Sequence, residues 1–158
     1  MMRDFISSGG TDILVLVVAS VAIYYLIQGN YKEMAVLLVA VIGAYVLSYF
    51  FKGLFNRPRP EFIPAGDYMY SASFPSGHAL LAAATYLTLG GIVIQLLPRN
   101  RLKAYVLFLT IFVVILVGFT SAYLGVHWPT DVLAGWIIGS VWAIPWWQIV
   151  RCLRQRSM

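Results

Sequence analysis

The sequence predicts an all-α integral membrane bundle of about five transmembrane helices, and three observations carry that prediction. The chain of 158 residues is 61% hydrophobic and only 11% charged, against roughly 25% charged residues in a soluble domain. Its mean hydropathy is +0.82. Its apolar residues fall in continuous runs rather than in the alternation of a barrel strand, and the runs far exceed the roughly 10 residues such a strand needs. We read residues 1–158 as a single domain.

Five segments approach the roughly 20 apolar residues that cross a bilayer core: Ile13–Ile27, Met34–Phe51, Ala79–Leu97, Ala104–Phe119 and Val132–Val150. The first and fourth are short and are expected to extend into flanking polar residues. The first also lacks the charged n-region and cleavage site of a signal peptide, so it is expected to stay as a span. Gly29 can close the first helix, and Asn30 with Glu33 resembles a capping box for the second. Asp12 and Glu33 read as helix-start residues. Pro98 and Asn100 separate the third and fourth helices, and Pro129 and Thr130 precede the fifth, which Pro145 is expected to kink. Gly135 and Gly139 either permit close helix packing or reflect the general frequency of glycine in membrane helices. Trp128, Trp146 and Trp147 fall where an aromatic belt would place them. Residues 61–74 read as an ordered interfacial loop. Within it Tyr68, Met69 and Tyr70 are either a lipid entrance or ordinary interfacial aromatics.

Basic residues orient the bundle. Lys32, Arg99, Arg101, Lys103, Arg151, Arg154 and Arg156 fall on one side, and Arg3, Lys52, Arg57 and Arg59 on the other. By the positive-inside rule the first set is cytoplasmic, so loops 52–75 and 120–131 face outward. Most of the net charge of +5 is thus accounted for by helix ends, and a nucleic-acid partner is not expected. Cys152 is the only cysteine, which rules out an intrachain disulfide. The sequence carries no signal for an oligomeric state.

Three outward connections bring chemistry to that face: Lys52, Arg57 and Arg59 after the second helix, His78 in Phe74-Pro75-Ser76-Gly77-His78, and His127 with Asp131 before the fifth. This inventory suits a phosphate ester. Cations neutralise non-bridging oxygens, and a helix N-terminus at Ser76, Gly77 and His78 offers free N–H groups. A neutral histidine can attack phosphorus, with a carboxylate to orient it and a second histidine to protonate the leaving oxygen. Each histidine by itself would more often be an interfacial residue, and Asp131 by itself a helix cap.

The pattern resembles the type 2 phosphatidic acid phosphatase family, from about residue 3 to about residue 150. The family's Lys, six residues, Arg-Pro matches Lys52 to Arg59-Pro60. Its Pro-Ser-Gly-His matches Pro75 to His78. In its third motif, Ser-Arg, five residues, His, three residues, Asp, the last two match His127 and Asp131. The resemblance implies His127 as nucleophile, Asp131 as its orienting partner and His78 as general acid. It also implies that Lys52, Arg59 and the backbone around Ser76 and Gly77 hold the phosphate, with no metal or other cofactor. The implied protein is a lipid phosphatase of the cell inner membrane, its partners membrane lipids and a lipid phosphate substrate. The site would face the extracytoplasmic side.

Two departures stand out. The third motif's Ser-Arg falls on Thr120-Ser121, and no Lys or Arg occurs between Ala104 and Val150. Losing one charge-assisted hydrogen bond costs roughly 10- to 100-fold, and Arg57 is the nearest candidate to compensate. Many bacterial relatives also carry a sixth helix ahead of the region matching Arg3 and Asp4, where this sequence begins. An alternative reading is therefore a weakened or inactive phosphatase-like protein that binds lipid phosphates. A third has His78, His127 and Asp131 as metal ligands in a hydrolase or transporter. Lys52 and Arg59 argue against a cation in that pocket, and no ionisable residue lies deep within a span.

Overall fold

The computed structural model describes residues 2–60 and 72–155, with side chains described from residue 12 onward and without that of Arg154. The expected lipid entrance at Tyr68, Met69 and Tyr70 lies outside the described residues, as does Arg156. Among the described residues there are five helices: α1 (Met2–Ile27), α2 (Tyr31–Phe55), α3 (Gly77–Leu96), α4 (Asn100–Tyr123) and α5 (Pro129–Gln155). Four of the expected spans fall inside these helices, each of which outruns its apolar run; the third overshoots by one residue, because Leu97 caps α3 in an extended conformation. Helices α2 to α5 are each long and apolar enough to cross a membrane. The apolar part of α1, Asp12–Ile27, is shorter, but its 26 residues span about 39 Å at 1.5 Å per residue.

Helix α3 is the hub, packed against the other four, most extensively against α5. Its buried residues include Ala79, Ala82, Ala83, Ala84, Thr85, Thr88, Gly90 and Gly91. Small side chains let backbones approach closely where lipid supplies no hydrophobic drive. Gly135 and Gly139 of α5 complete that contact. A Cβ at Gly135 would lie 2.8 Å from the Ser76 carbonyl oxygen, and one at Gly139 would collide with the Leu80 carbonyl. The two glycines are packing residues. Helix α4, by contrast, turns Leu107, Phe108, Phe112, Ile115, Leu116 and Phe119 outward, as a lipid-facing helix does.

Several local expectations change. Gly29 does close α1, at φ 71°, but Asn30 precedes α2 without a side-chain cap, so the expected capping box is not made. Helix α5 holds Pro145 in its interior, where a kink was expected, and continues past it to Gln155. Of the three expected belt tryptophans, Trp147 is exposed. Trp146 instead packs on a cluster of Tyr25, Val36, Ile92 and Val150, and Trp128 lies under Arg57. Deeper in the bundle, Trp136 donates to the Val114 carbonyl at 3.1 Å and Trp142 to the Ala40 carbonyl at 2.9 Å. These bonds tie α5 to α4 and to α2.

Candidate active site

Three breaks in the helices build the site at one end of the bundle. Helix α2 stops at Asn56, which takes the left-handed conformation (φ 38°) while its N–H donates to the Lys52 carbonyl at 3.1 Å. Asparagine tolerates that region better than most residues. Pro58 and Pro60 then prevent the helix from resuming, so Arg57 and Arg59 leave its axis. Helix α4 ends on Gly125 at φ 69°, a residue suited to such a stop. Pro129 opens α5, where its missing N–H costs nothing.

Between these last two breaks sits His127, only 3% exposed. Its Nδ1 lies 2.8 Å from the Ser73 carbonyl oxygen. A carbonyl only accepts, so Nδ1 carries the proton and Nε2 carries the lone pair. Burial, reinforced by the positive fields of Arg59, Lys52 and His78, pulls the His127 pKa down to about 3, against the weaker support of the Ser73 carbonyl. The ring is neutral at physiological pH. Those same influences put Lys52, Arg59 and His78 in one site with it.

Asp131 is fully buried and saturated with partners. Its Oδ1 accepts from Arg57 Nη1 at 2.8 Å. Its Oδ2 accepts from the Ser73 hydroxyl at 2.5 Å and from the Trp128 N–H at 3.1 Å. The Trp128 bond is half of a capping box, an N3 carboxylate reaching back to the N-cap amide, so Asp131 does cap α5. Its backbone carbonyl accepts from the Ser76 N–H at 2.9 Å. The expected contact with the imidazole is a different matter. Asp131 Oδ2 stands 3.9 Å from His127 Nδ1, beyond hydrogen-bond reach. The Ser73 carbonyl holds the ring instead.

Lys52 approaches the start of α3, its Nζ 3.9 Å from where a Cβ on Gly77 would sit. Ser76 caps that helix, its hydroxyl accepting from the Ala79 N–H at 3.5 Å. The first turn of α3, beginning at Gly77, therefore lies beside the lysine. Burial lowers the Arg59 pKa, while Asp131 raises it; an arginine stays cationic through such a change. Arg57 also donates to the Thr130 hydroxyl at 2.9 Å and lies 5.5 Å above the Trp128 ring. It is therefore committed to Asp131 and the start of α5. Ser121 is buried, and its hydroxyl donates to the Val117 carbonyl of its own helix at 3.1 Å. Among the described residues, no three His, Cys, Asp or Glu side chains converge as metal ligands.

The PAP2 superfamily model matches residues 33–154, a stretch that holds every residue named in this site. The chain belongs to the PAP2 superfamily. Two curated relatives are similar. Phosphatidylglycerophosphatase B of Bacillus subtilis (strain 168) is 37% identical over 95 residues, 60% of this chain and 46% of the relative. The undecaprenyl-diphosphatase of Sulfolobus acidocaldarius is 35% identical over 107 residues, 65% of this chain and again 46% of the relative. The chain thus spans about half the length of each. Among solved structures, the transmembrane PAP2 type phosphatidylglycerolphosphate phosphatase of Bacillus subtilis superposes with a TM-score of 0.78 at 26% identity. That match covers 98% of this chain and 75% of the other. Aquifex aeolicus LpxE gives 0.59 at 27% identity, covering 89% and 84%. The PAP2 chain described here is a helical, multi-pass membrane protein.

All seven site residues predicted from sequence lie in the three connections or at the helix ends beside them. Three further participants went unread: Ser73, Thr130 and Trp128 in its role beneath Arg57. Ser73 is a small polar residue in an irregular segment, and no local pattern marks it.

Proposed function

We propose that this chain is a metal-independent membrane lipid phosphatase that hydrolyses a phosphate or diphosphate head group through a phosphohistidine. One observation carries the reading. His127 is buried and neutral, with its proton on Nδ1 and its lone pair on Nε2, and Arg59, Lys52 and His78 lie near enough to act on its charge. In the proposed reaction Nε2 attacks phosphorus, a P–N bond forms and the P–O bond to the leaving group breaks. His78, as the acid, protonates the departing oxygen. Lys52 and Arg59 neutralise the non-bridging oxygens, and the backbone around Ser76 and Gly77 helps to hold them. Water, deprotonated by His78, then attacks phosphorus, releases inorganic phosphate and restores His127. The curated relatives and the Bacillus structure suggest phosphatidylglycerol phosphate and undecaprenyl diphosphate as the first substrates to try. The charge count supports an extracytoplasmic site, and the cell inner membrane is the proposed location.

A second reading, a weakened phosphatase that mainly binds lipid phosphates, is favoured by Ser121. That side chain bonds its own helix and brings no positive charge, and Arg57 is engaged by Asp131.

Phosphate release from a panel of lipid phosphates in detergent with EDTA tests both, comparing the natural chain with His127→Ala and Ser121→Arg. Release that vanishes in His127→Ala supports the enzyme. Release only from Ser121→Arg supports the weakened form. Release that resists His127→Ala, or that EDTA abolishes, overturns the mechanism.

A further inference from the structure

Ser73 has a place that neither the motifs nor the proposed reaction uses. It is fully buried and held through three groups at once. Its N–H donates to the Arg57 carbonyl at 2.8 Å. Its hydroxyl donates to Asp131 Oδ2 at 2.5 Å, and its carbonyl accepts from His127 Nδ1 at 2.8 Å. The Ser73 hydroxyl also lies 3.4 Å from Nδ1, a much weaker contact. The carboxylate and the imidazole are thus both held within 3 Å by this one residue.

We propose that Ser73 is a positioning residue that relays Asp131 to His127: the carboxylate anchors the Ser73 hydroxyl, and the anchored backbone carbonyl holds the imidazole. Asp131 has little freedom to act directly. Arg57 pins Oδ1, and the Trp128 N–H shares Oδ2, so its other partners keep the carboxylate 3.9 Å from the ring. The arrangement suits a ring that must stay neutral. A carbonyl fixes the tautomer as a carboxylate would, yet brings no full negative charge to raise the imidazole's proton affinity. The segment bearing that carbonyl is otherwise irregular backbone, which is why a side-chain anchor matters there. Asp131 secures it twice, through the Ser73 hydroxyl and through its own carbonyl on the Ser76 N–H.

The relay has a test that needs no substrate. In detergent-solubilised protein with 15N-labelled histidine, assigned through His127→Gln, nitrogen NMR reads which ring nitrogen carries the proton and how fast it exchanges. The relay requires a protected Nδ1–H in the natural chain. Ser73→Ala and Asp131→Asn should each speed its exchange about 10-fold or more, and the double variant should go no further. A proton on Nε2 overturns the relay. So does faster exchange in Asp131→Asn but not in Ser73→Ala.

The kinetic arm rests on the phosphatase reading and uses phosphatidylglycerol phosphate in micelles. Ser73→Ala should lower kcat about 10- to 100-fold with little change in KM, and Ser73→Thr, which keeps the hydroxyl, should recover most of it. Asp131→Asn should then cost far less in the Ser73→Ala background than in the natural chain; an equal cost in both overturns the relay. If the natural chain releases no phosphate from any lipid, the phosphatase reading alone fails, and the exchange measurement still decides the relay.

Discussion

The two ends of the bundle handle charge in opposite ways. At the end that carries the site, Asp131 is wholly buried and paired with Arg57, and Lys52, Arg57 and Arg59 are partly withdrawn from solvent. At the other end Lys32, Arg99, Arg101 and Arg151 are exposed around an apolar cluster of Tyr25, Val36, Ile92 and Val150. Burying a charge is costly unless it is paired and hydrogen-bonded, and Arg57 with Asp131 meets that requirement at the site. The difference teaches that like-charged residues on one chain serve separate tasks. The exposed set suits head groups and topology, and the enclosed set builds an electrostatic site.

That contrast can be broken by removing charge or shape at either end. The largest effect belongs to the nucleophile. His127→Ala should reduce phosphate release to background, a loss of about 10³-fold or more, measured as inorganic phosphate from micellar lipid. Lys52→Ala and Arg59→Ala come next. Each should cost about 10- to 100-fold in kcat/KM, because each takes a cation from the phosphate. Away from the site, Gly139→Leu should drive a side chain into the Leu80 carbonyl and Ala83. It should destabilise the bundle by about 1–3 kcal/mol, read as a fall in detergent melting temperature.

A pH titration of stability sharpens the comparison further. The folded His127 pKa of about 3 lies below the unfolded value of about 6.5. Between these values the unfolded chain binds the extra proton, so stability falls as pH drops from about 6.5 toward 3. Melting temperature should decline over that window, and less steeply in His127→Gln. At the opposite end, Arg101→Ala should leave both activity and melting temperature nearly unchanged, since exposed surface charges contribute ~0–1 kcal/mol.

The central packing was half legible in advance. Glycines four apart in α5 suggested close approach, but glycine is common in membrane helices whether or not anything approaches. Only the meeting of Gly135 and Gly139 with Ser76, Leu80 and Ala83 shows why a larger residue is excluded. The capping box expected at Asn30 illustrates the reverse. The helix starts where the residue types said, yet the side chain makes no bond there, because N-cap preference is a tendency worth about 1 kcal/mol.

By itself the sequence determined what depends on composition, run length and spacing along one chain. It set the helical membrane class, the placement of five helices, and the convergence of Lys52, Arg59, His78, His127 and Asp131 at one end. Apolar length and helix breakers act locally, so they can be read locally. Only the tertiary structure decided which atoms meet. Ser73 and Asp131 are 58 positions apart, and Arg57 and Asp131 are 74 apart. Nothing in either neighbourhood encodes the partner. A hydrogen bond is settled over a few tenths of an ångström, and that precision arises when α3 and α5 close on each other and carry their loops into register.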